Sequence, residues 1–221
     1  EIGWGERAPG LTLELDQARV RALGLSPAQI AQALQAQVSG TTATQIRAGT
    51  SVADIGAGEG YYTVRLSERV GARGRVLAQD IDAGAIQRLG QRVERERLDN
   101  VSIKTGAADD PRLPANSFDR VFLVHMYHEV GEPYAFLWRL RPALKPGGQV
   151  VVVDVDRPTD QHGMPPQLLF CEFAAVGFRL AEFVRRPELN GYYAQFEAVG
   201  PRPAPGQIKP CKSASGKTGT Q

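Results

Sequence analysis

The sequence predicts a doubly wound α/β fold: a mostly parallel seven-stranded sheet between helices, preceded by a strand–helix appendage. Three observations carry this expectation. Strand-like and helix-like segments alternate from about residue 50 to 200, the pattern of a sheet built from βα units. The run Val150-Val151-Val152-Val153 has no polar alternation and suits a central strand covered on both faces. The segment Val52-Ala53-Asp54-Ile55 runs directly into Gly56-Ala57-Gly58-Glu59-Gly60, a strand that opens through glycines into a helix.

The elements follow in order. Leu11-Thr12-Leu13-Glu14-Leu15 alternates apolar and polar residues, the mark of a half-buried strand. Ser26-Pro27 then opens a helix, with Ser26 as N-cap, Pro27 at the first helical position and Gln29 in the capping box. Ile30, Leu34 and Val38 give that helix one apolar face, and Gly40 ends it. Strands are expected at 51–55, 75–79, 101–104, 119–124 and 149–154, with helical segments between them. Ile86, Leu89 and Val93 line one face of the second such helix; Leu137, Leu140 and Leu144 line one face of the fourth. A helix at 166–176 and strands at 178–183 and 192–198 complete the pattern, with Asn190-Gly191 in the connection between the two strands. Residues 201–221, with four prolines and then Lys-Ser-Ala-Ser-Gly-Lys-Thr-Gly-Thr, read as a flexible tail. The expected division is therefore 1–49, 50–200 and 201–221.

Composition excludes several classes. The 221 residues carry a formal charge of only +2, and no basic, aromatic-rich patch points to nucleic acid. The longest apolar run, near 149–155, is strand-sized, far short of the roughly 20 residues of a membrane helix. The two cysteines do not form a disulfide framework. Cys171, in Leu168-Leu169-Phe170-Cys171, reads as a small core residue, and Cys211 lies in the polar tail. No Cys/His cluster has zinc spacing. A cytoplasmic location is expected, or a periplasmic one if a leader was removed ahead of Glu1.

The glycine loop predicts a cofactor site. Glycine permits positive φ and close approach of a ligand to the backbone, and the helix start offers free N–H groups to an anion such as a carboxylate. The spacing is G-x-G-x-G, and Tyr61 stands where a dinucleotide fingerprint would place its last glycine. Twenty residues past Gly60, Asp80 ends the second strand, where a carboxylate can accept from both hydroxyls of a ribose.

Asp54-Ile55-Gly56-Ala57-Gly58-Glu59-Gly60 resembles motif I of class I S-adenosylmethionine-dependent methyltransferases. Asp80 matches the ribose-binding acid of that family, Phe118-Asp119-Arg120-Val121-Phe122 its fourth strand, and Leu144-Lys145-Pro146-Gly147-Gly148 the turn into its fifth. The resemblance covers about residues 50–200 and implies a Rossmann-like fold with S-adenosyl-L-methionine as cofactor. It places Gly56, Ala57, Gly58 and Gly60 around the methionine moiety, Asp54 near its amino group, and Asp80 with Ile81 at the ribose. Gly106-Ala107-Ala108-Asp109-Asp110 would border the adenine, with Ala108 and Asp109 as contacts; Ala107 stands where many relatives carry an acid.

The acceptor is expected beyond the carboxyl ends of the strands. There, His125-Met126-Tyr127-His128-Glu129 follows the fourth strand and holds two of the three histidines. His125 and His128 are candidate bases, and Tyr127 can stack on or hydrogen-bond a substrate; the alternative is that these residues cap and pack the loop. His125, His128 and Glu129 are also of metal-ligand type, but lacking a further partner they predict no metal. The Asn/Asp-Pro-Pro-aromatic run of amide methylation is absent, so a small-molecule acceptor is expected. Arg157-Pro158-Thr159-Asp160-Gln161-His162 leaves the fifth strand on the same edge and reads as a loop beside the pocket. Tyr61 and Tyr62 open the first helix, toward the cofactor or into the packing.

The beginning of the chain differs. Leu13-Glu14-Leu15-Asp16-Gln17-Ala18-Arg19, Arg21-Ala22-Leu23-Gly24-Leu25-Ser26, Ala31-Gln32-Ala33-Leu34 and Ser39-Gly40-Thr41-Thr42-Ala43-Thr44-Gln45 resemble the periplasmic porter domain of resistance-nodulation-division efflux transporters, almost continuously over residues 4–50. No transmembrane or proton-relay segment accompanies it, so pump activity does not follow. Two resemblances in one chain imply a fusion. The residues that cover the cofactor in the methyltransferase family would then be replaced. The expectation is a working methyltransferase, with cofactor binding without efficient turnover, or a transporter-derived interaction fragment, as the alternatives.

Overall fold

The computed structural model describes residues 46–187 and 190–211. The expected strand at 11–15, the helix at 26–38 and the porter-like stretch up to residue 45 lie outside the described residues, as do 212–221.

Seven strands form one sheet: β1 (Ser51–Ile55), β2 (Arg75–Asp80), β3 (Val101–Thr105), β4 (Phe118–Val124), β5 (Leu144–Val155), β6 (Phe178–Arg186) and β7 (Gly191–Ala198). Their order is β3-β2-β1-β4-β5-β7-β6. The first five are parallel; β7 runs antiparallel to both β5 and β6. The order reverses between β1 and β4, and ligands of open α/β sheets bind at such a switch point, beyond the carboxyl ends of the strands.

Among the described residues four α-helices cover the sheet: α1 (Tyr61–Val70), α2 (Ala83–Arg95), α3 (Pro133–Leu140) and α4 (Pro166–Ala175). The strand period of two decides which face each helix covers. Val52, Val76 and Ala78 point to the side of α1 and α2, where they meet Leu66, Val70 and Leu89. Ala53, Ile55, Val121, Leu123, Val150 and Val152 point the other way, into a larger core with Leu137, Leu140, Leu169 and Phe173. Phe173 stacks on Phe196 of β7 at 3.9 Å. Val150, Val151 and Val152 are sealed on both faces, and each such side chain contributes roughly 1.5–3 kcal/mol by its burial.

Helix ends follow local chemistry. Asp82 caps α2, accepting from the N–H groups of Gly84 (2.6 Å) and Ala85 (3.0 Å). Pro133 and Pro166 occupy first-turn positions of α3 and α4. Leu144 departs from expectation. It does not continue the face of Leu137 and Leu140, because α3 ends at Leu140 and Pro142 sits in a short 3-10 turn, Arg141–Ala143. Leu144 instead opens β5 opposite Phe118.

The cysteines also depart from expectation. Cys171 is exposed on α4, not a core residue, and it forms a disulfide with Cys211. Helical spacing explains this: Leu169 and Phe173 take the buried face of α4 and turn Cys171 outward. Residues 201–211, the described part of the expected tail, hold several contacts with the body. Trp138 Nε1 donates to Pro203 O (2.9 Å), Arg202 lies over the Trp138 ring (3.5 Å), and the Cys211 N–H donates to the Tyr134 hydroxyl (2.6 Å). Arg141 donates to the carbonyls of Val199 and Gly200 just ahead of the segment. Among the described residues no helix is long and apolar enough to cross a membrane.

Candidate functional site

The glycine loop leaves β1 at the switch point. Gly56, Gly58 and Gly60 all adopt positive φ (69°, 55° and 85°), which only glycine takes without strain. Space demands it as well. A Cβ on Gly56 would stand 2.9 Å from Met126 Cβ, and one on Gly60 would stand 2.5 Å from Leu89 Cδ1. Ala57 is buried against Ala78 and Leu89, and its N–H donates to Gln79 O (3.0 Å). The first turn of α1 has no side-chain cap, and the dipole of a helix start suits an anion.

Two carboxylates flank the loop. Asp54, on β1, is buried and accepts from the Thr63 hydroxyl at 2.6 Å. Burial pushes its carboxyl up to about 7; the bond from Thr63 opposes the rise and the nearby Asp80 charge adds to it. Asp80 accepts from the Gly58 N–H (2.8 Å) on one oxygen and from the Asp82 N–H (2.9 Å) on the other. Each oxygen keeps a second lone pair for a ligand. Ile81 beside it is exposed.

The adenine-side expectations fall on a turn closed by an Ala107–Asp110 bridge. Ala108 is exposed, and the Asp109 carboxylate forms an ion pair with Arg139 of α3, which also donates to Asp109 O (2.9 Å). The Arg139 guanidinium holds the Asp109 carboxyl below its ordinary range. Gly106, at the head of the turn, leaves room for the buried Gln79 side chain, which a Cβ would strike.

These residues fit S-adenosylmethionine. A buried carboxylate raised by burial gains from an ammonium group, an uncapped helix start suits a carboxylate, and Asp80 retains acceptor capacity for a ribose diol. A dinucleotide would need a third glycine at residue 61, which is Tyr61 at the head of α1.

The segment after β4 divides the candidate catalytic residues. His125 takes a left-handed backbone (φ 51°), with its N–H on Val153 O at 2.8 Å. Tyr127 does not face the strand edge. It is 2 % exposed, packs between Phe136 and Phe173, and donates to Glu172 Oε2 at 2.9 Å. Burial pushes the Glu172 carboxyl up to about 7, against the lowering effect of that bond, and burial likewise raises the Tyr127 phenol. His128 does face the edge. Its Nδ1 lies 3.0 Å from both carboxylate oxygens of Asp154, a fully buried side chain near the end of β5. Burial acts to lower the His128 imidazole, but the hydrogen bond and charge of Asp154, with the charge of Glu129, outweigh it and raise it above its ordinary range. Pairing with Asp154 favours the tautomer with its proton on Nδ1, and Nε2 lies 3.9 Å from Glu129 Oε1.

Three residues of this region were not singled out from the sequence. Asp154 ends the valine run as a strand-end acid, a signal of the kind that marks Asp80. Met126 covers the glycine loop, and Glu172 sits on α4; neither leaves a sequence signature.

Strand order, glycine loop and strand-end acid together define a Rossmann-like class I methyltransferase fold, and residues 52–148 match the family model of a methyltransferase domain. The curated relatives include the ubiquinone/menaquinone biosynthesis C-methyltransferase UbiE of Hahella chejuensis, 33% identical over 116 residues that make up 52% of this chain and 47% of that protein. A demethylmenaquinone methyltransferase of Geobacillus sp. is 30% identical over 114 residues, 52% of this chain and 49% of its own. The chain spans about half the length of these relatives. Among solved structures, a SAM-dependent methyltransferase from Aquifex aeolicus superimposes with TM-score 0.69 at 22% identity, over 84% of this chain and all of that one. The [4+2]-cyclase SpnF shares the fold at TM-score 0.61 and 16% identity, over 78% of this chain and 82% of that one.

Proposed function

We propose that this chain is an S-adenosylmethionine-dependent methyltransferase acting on a small-molecule acceptor, with His128 as the catalytic residue. One observation carries the reading: His128 Nδ1 lies 3.0 Å from the buried Asp154 carboxylate, just beyond β4, which pairs with the β1 strand that runs into the glycine loop; that pairing with Asp154 favours Nε2 as the base nitrogen. Gly56, Ala57, Gly58 and Gly60 form the cradle, Asp54 pairs with the ligand's ammonium, and Asp80 takes the ribose, with Ile81, Ala108 and Asp109 bordering the rest. The bound cofactor supplies a methyl group on a sulfonium, activated toward an in-line nucleophile. The protein's share is to orient the acceptor and draw off its proton. His128 is placed for that; Tyr127 supports it from the core. The curated relatives are named for methyl transfer in ubiquinone and menaquinone biosynthesis, which supports a hydroxylated aromatic ring as acceptor class. The Cys171–Cys211 disulfide supports an oxidising compartment over the cytoplasm.

A second reading is cofactor binding without efficient turnover. The porter-like residues 4–50 and the occurrence of this fold in a cyclase favour it. Calorimetric titration with S-adenosylmethionine and S-adenosylhomocysteine, followed by turnover with a reduced naphthoquinone, separates the two. The expected result is micromolar binding and methylated product. Binding without product from a panel of phenolic acceptors selects the second reading, and no binding by folded protein defeats both.

A further inference from the structure

The lone pair of His128 has company. Nε2 lies 3.9 Å from Glu129 Oε1, too far for a hydrogen bond. His162 approaches from the loop after β5, its ring edge-on to His128 with centroids 6.1 Å apart. One ligand atom from each of His128, Glu129 and His162 lies within 4.8 Å of the other two. Ligands about 2.0–2.2 Å from a common divalent ion stand roughly 3–4 Å apart. Small side-chain rotations of the exposed Glu129 and His162 close that gap.

The setting favours a cation over chance proximity. His128 is only 4 % exposed at its side chain, and its Nδ1 lies 3.0 Å from a fully buried carboxylate. A carboxylate behind a histidine is the support that fixes ring orientation and raises basicity in metal-ligating histidines. His162 takes a left-handed backbone, φ 54°, at the end of the 3-10 turn Thr159–Gln161. Gly163 then packs so closely that a Cβ there would lie 2.8 Å from Val155 O. The loop is thereby pinned to the end of β5. Two separate segments, after β4 and after β5, thus deliver two imidazoles and one carboxylate to one point.

We infer that His128, Glu129 and His162 form a site for a divalent transition-metal ion, with Asp154 orienting His128. Two imidazoles and one carboxylate suit zinc, iron(II), cobalt(II) or manganese(II) and leave positions open to a further ligand. The site lies on the strand edge where an acceptor is expected, so an acceptor oxygen is the chemical class that fits the open positions. There the ion's charge stabilises the deprotonated oxygen, and the hydroxyl proton leaves to water. In the loaded site His128 promotes that proton loss only by holding the ion, because its Nε2 lone pair is taken by the metal. The metal site stands on its own geometry; only the identity of its further ligand rests on the methyl-transfer reading.

The chain suits a direct test, since it has three histidines in all and both of its cysteines are in the disulfide. The full-length protein, stripped with a chelator, is titrated with zinc chloride alone by calorimetry, and the cobalt(II) complex is followed by its visible absorption. One equivalent should bind with micromolar or tighter affinity, and cobalt should give an imidazole-coordinated spectrum. His162→Ala and Glu129→Gln should each weaken zinc at least tenfold, while S-adenosylmethionine affinity stays within threefold. The same cofactor titration reports that each variant is folded. Wild-type protein that takes up no zinc, or variants that bind it as well as wild type, would overturn the assignment. Lost cofactor binding with intact zinc binding would instead count against the methyltransferase reading and leave the metal site standing.

Discussion

Each half of the sheet buries one carboxyl that burial pushes up to about 7, and the two are built differently. Under the glycine loop, Asp54 is met by Thr63, nine residues away on the next helix. On the other side of the switch point, Glu172 is met by Tyr127 across 45 residues. The cofactor half is one strand–loop–helix unit closed by Asp80. The half beyond β4 is a convergence: His128 on Asp154 across 26 residues, Cys211 on Tyr134 across 77, and a disulfide spanning 40. Local units order with little loop-closure cost, whereas distant pairs exist only once the core has formed. The two halves should therefore respond to different perturbations.

His128→Ala breaks the comparison most sharply. Turnover should fall by about 10²-fold or more, while S-adenosylmethionine affinity stays within threefold, because Met126, not His128, is the residue of that segment that covers Gly56. A matched loss of cofactor affinity would show that the halves are coupled. Reducing the disulfide, or Cys211→Ser, should lower stability by roughly 2–4 kcal/mol for a loop of this length. Denaturant unfolding measures this, and cofactor affinity at low denaturant should be unchanged.

Asp80→Ala acts in the opposite direction. It should weaken cofactor binding by about 1–3 kcal/mol, the usual cost of losing a charged hydrogen-bond partner, with a smaller effect on the melting temperature. Unchanged affinity by calorimetry would remove Asp80 from the site.

Per unit of change, the smallest effects are those of pH. Glu172 has a folded-state pKa above its unfolded value, so the folded state holds the proton more tightly, and stability falls as pH rises from about 4.5 to about 7. Glu172→Gln should flatten that slope, whose limit is about 1.4 kcal/mol per pH unit for one group. Asp54 contributes a slope of the same sign from 3.8 to about 7. An ammonium ligand beside it lowers its pKa, so binding releases a proton and affinity should rise with pH through 7. Asp54→Asn should abolish that rise; calorimetry in buffers of different ionisation enthalpy counts the proton.

The legibility of the molecule divides along the same line. Asp54, Gly56, Gly58, Gly60 and Asp80 could be placed from sequence because glycine spacing and a strand-end acid are local signals with local causes. The seven strands were legible because a period of two and a four-valine run report burial directly. Leu144 was misread because an apolar residue in register with a helix face does not reveal that Pro142 has already ended the helix. Cys171 was misread because its apolar neighbours hid the outward face of α4.

By itself, then, the sequence determined the sheet, its helical cover and the cofactor loop, since each follows from propensity, periodicity and turn chemistry within some thirty residues. Only the tertiary structure decided that Tyr127 turns inward to Glu172, that Asp154 stands behind His128, and that His162 comes to meet it. Those pairings depend on which strand lies beside which, and on side-chain direction at the strand ends. Both are fixed when the core closes rather than by any stretch of chain alone.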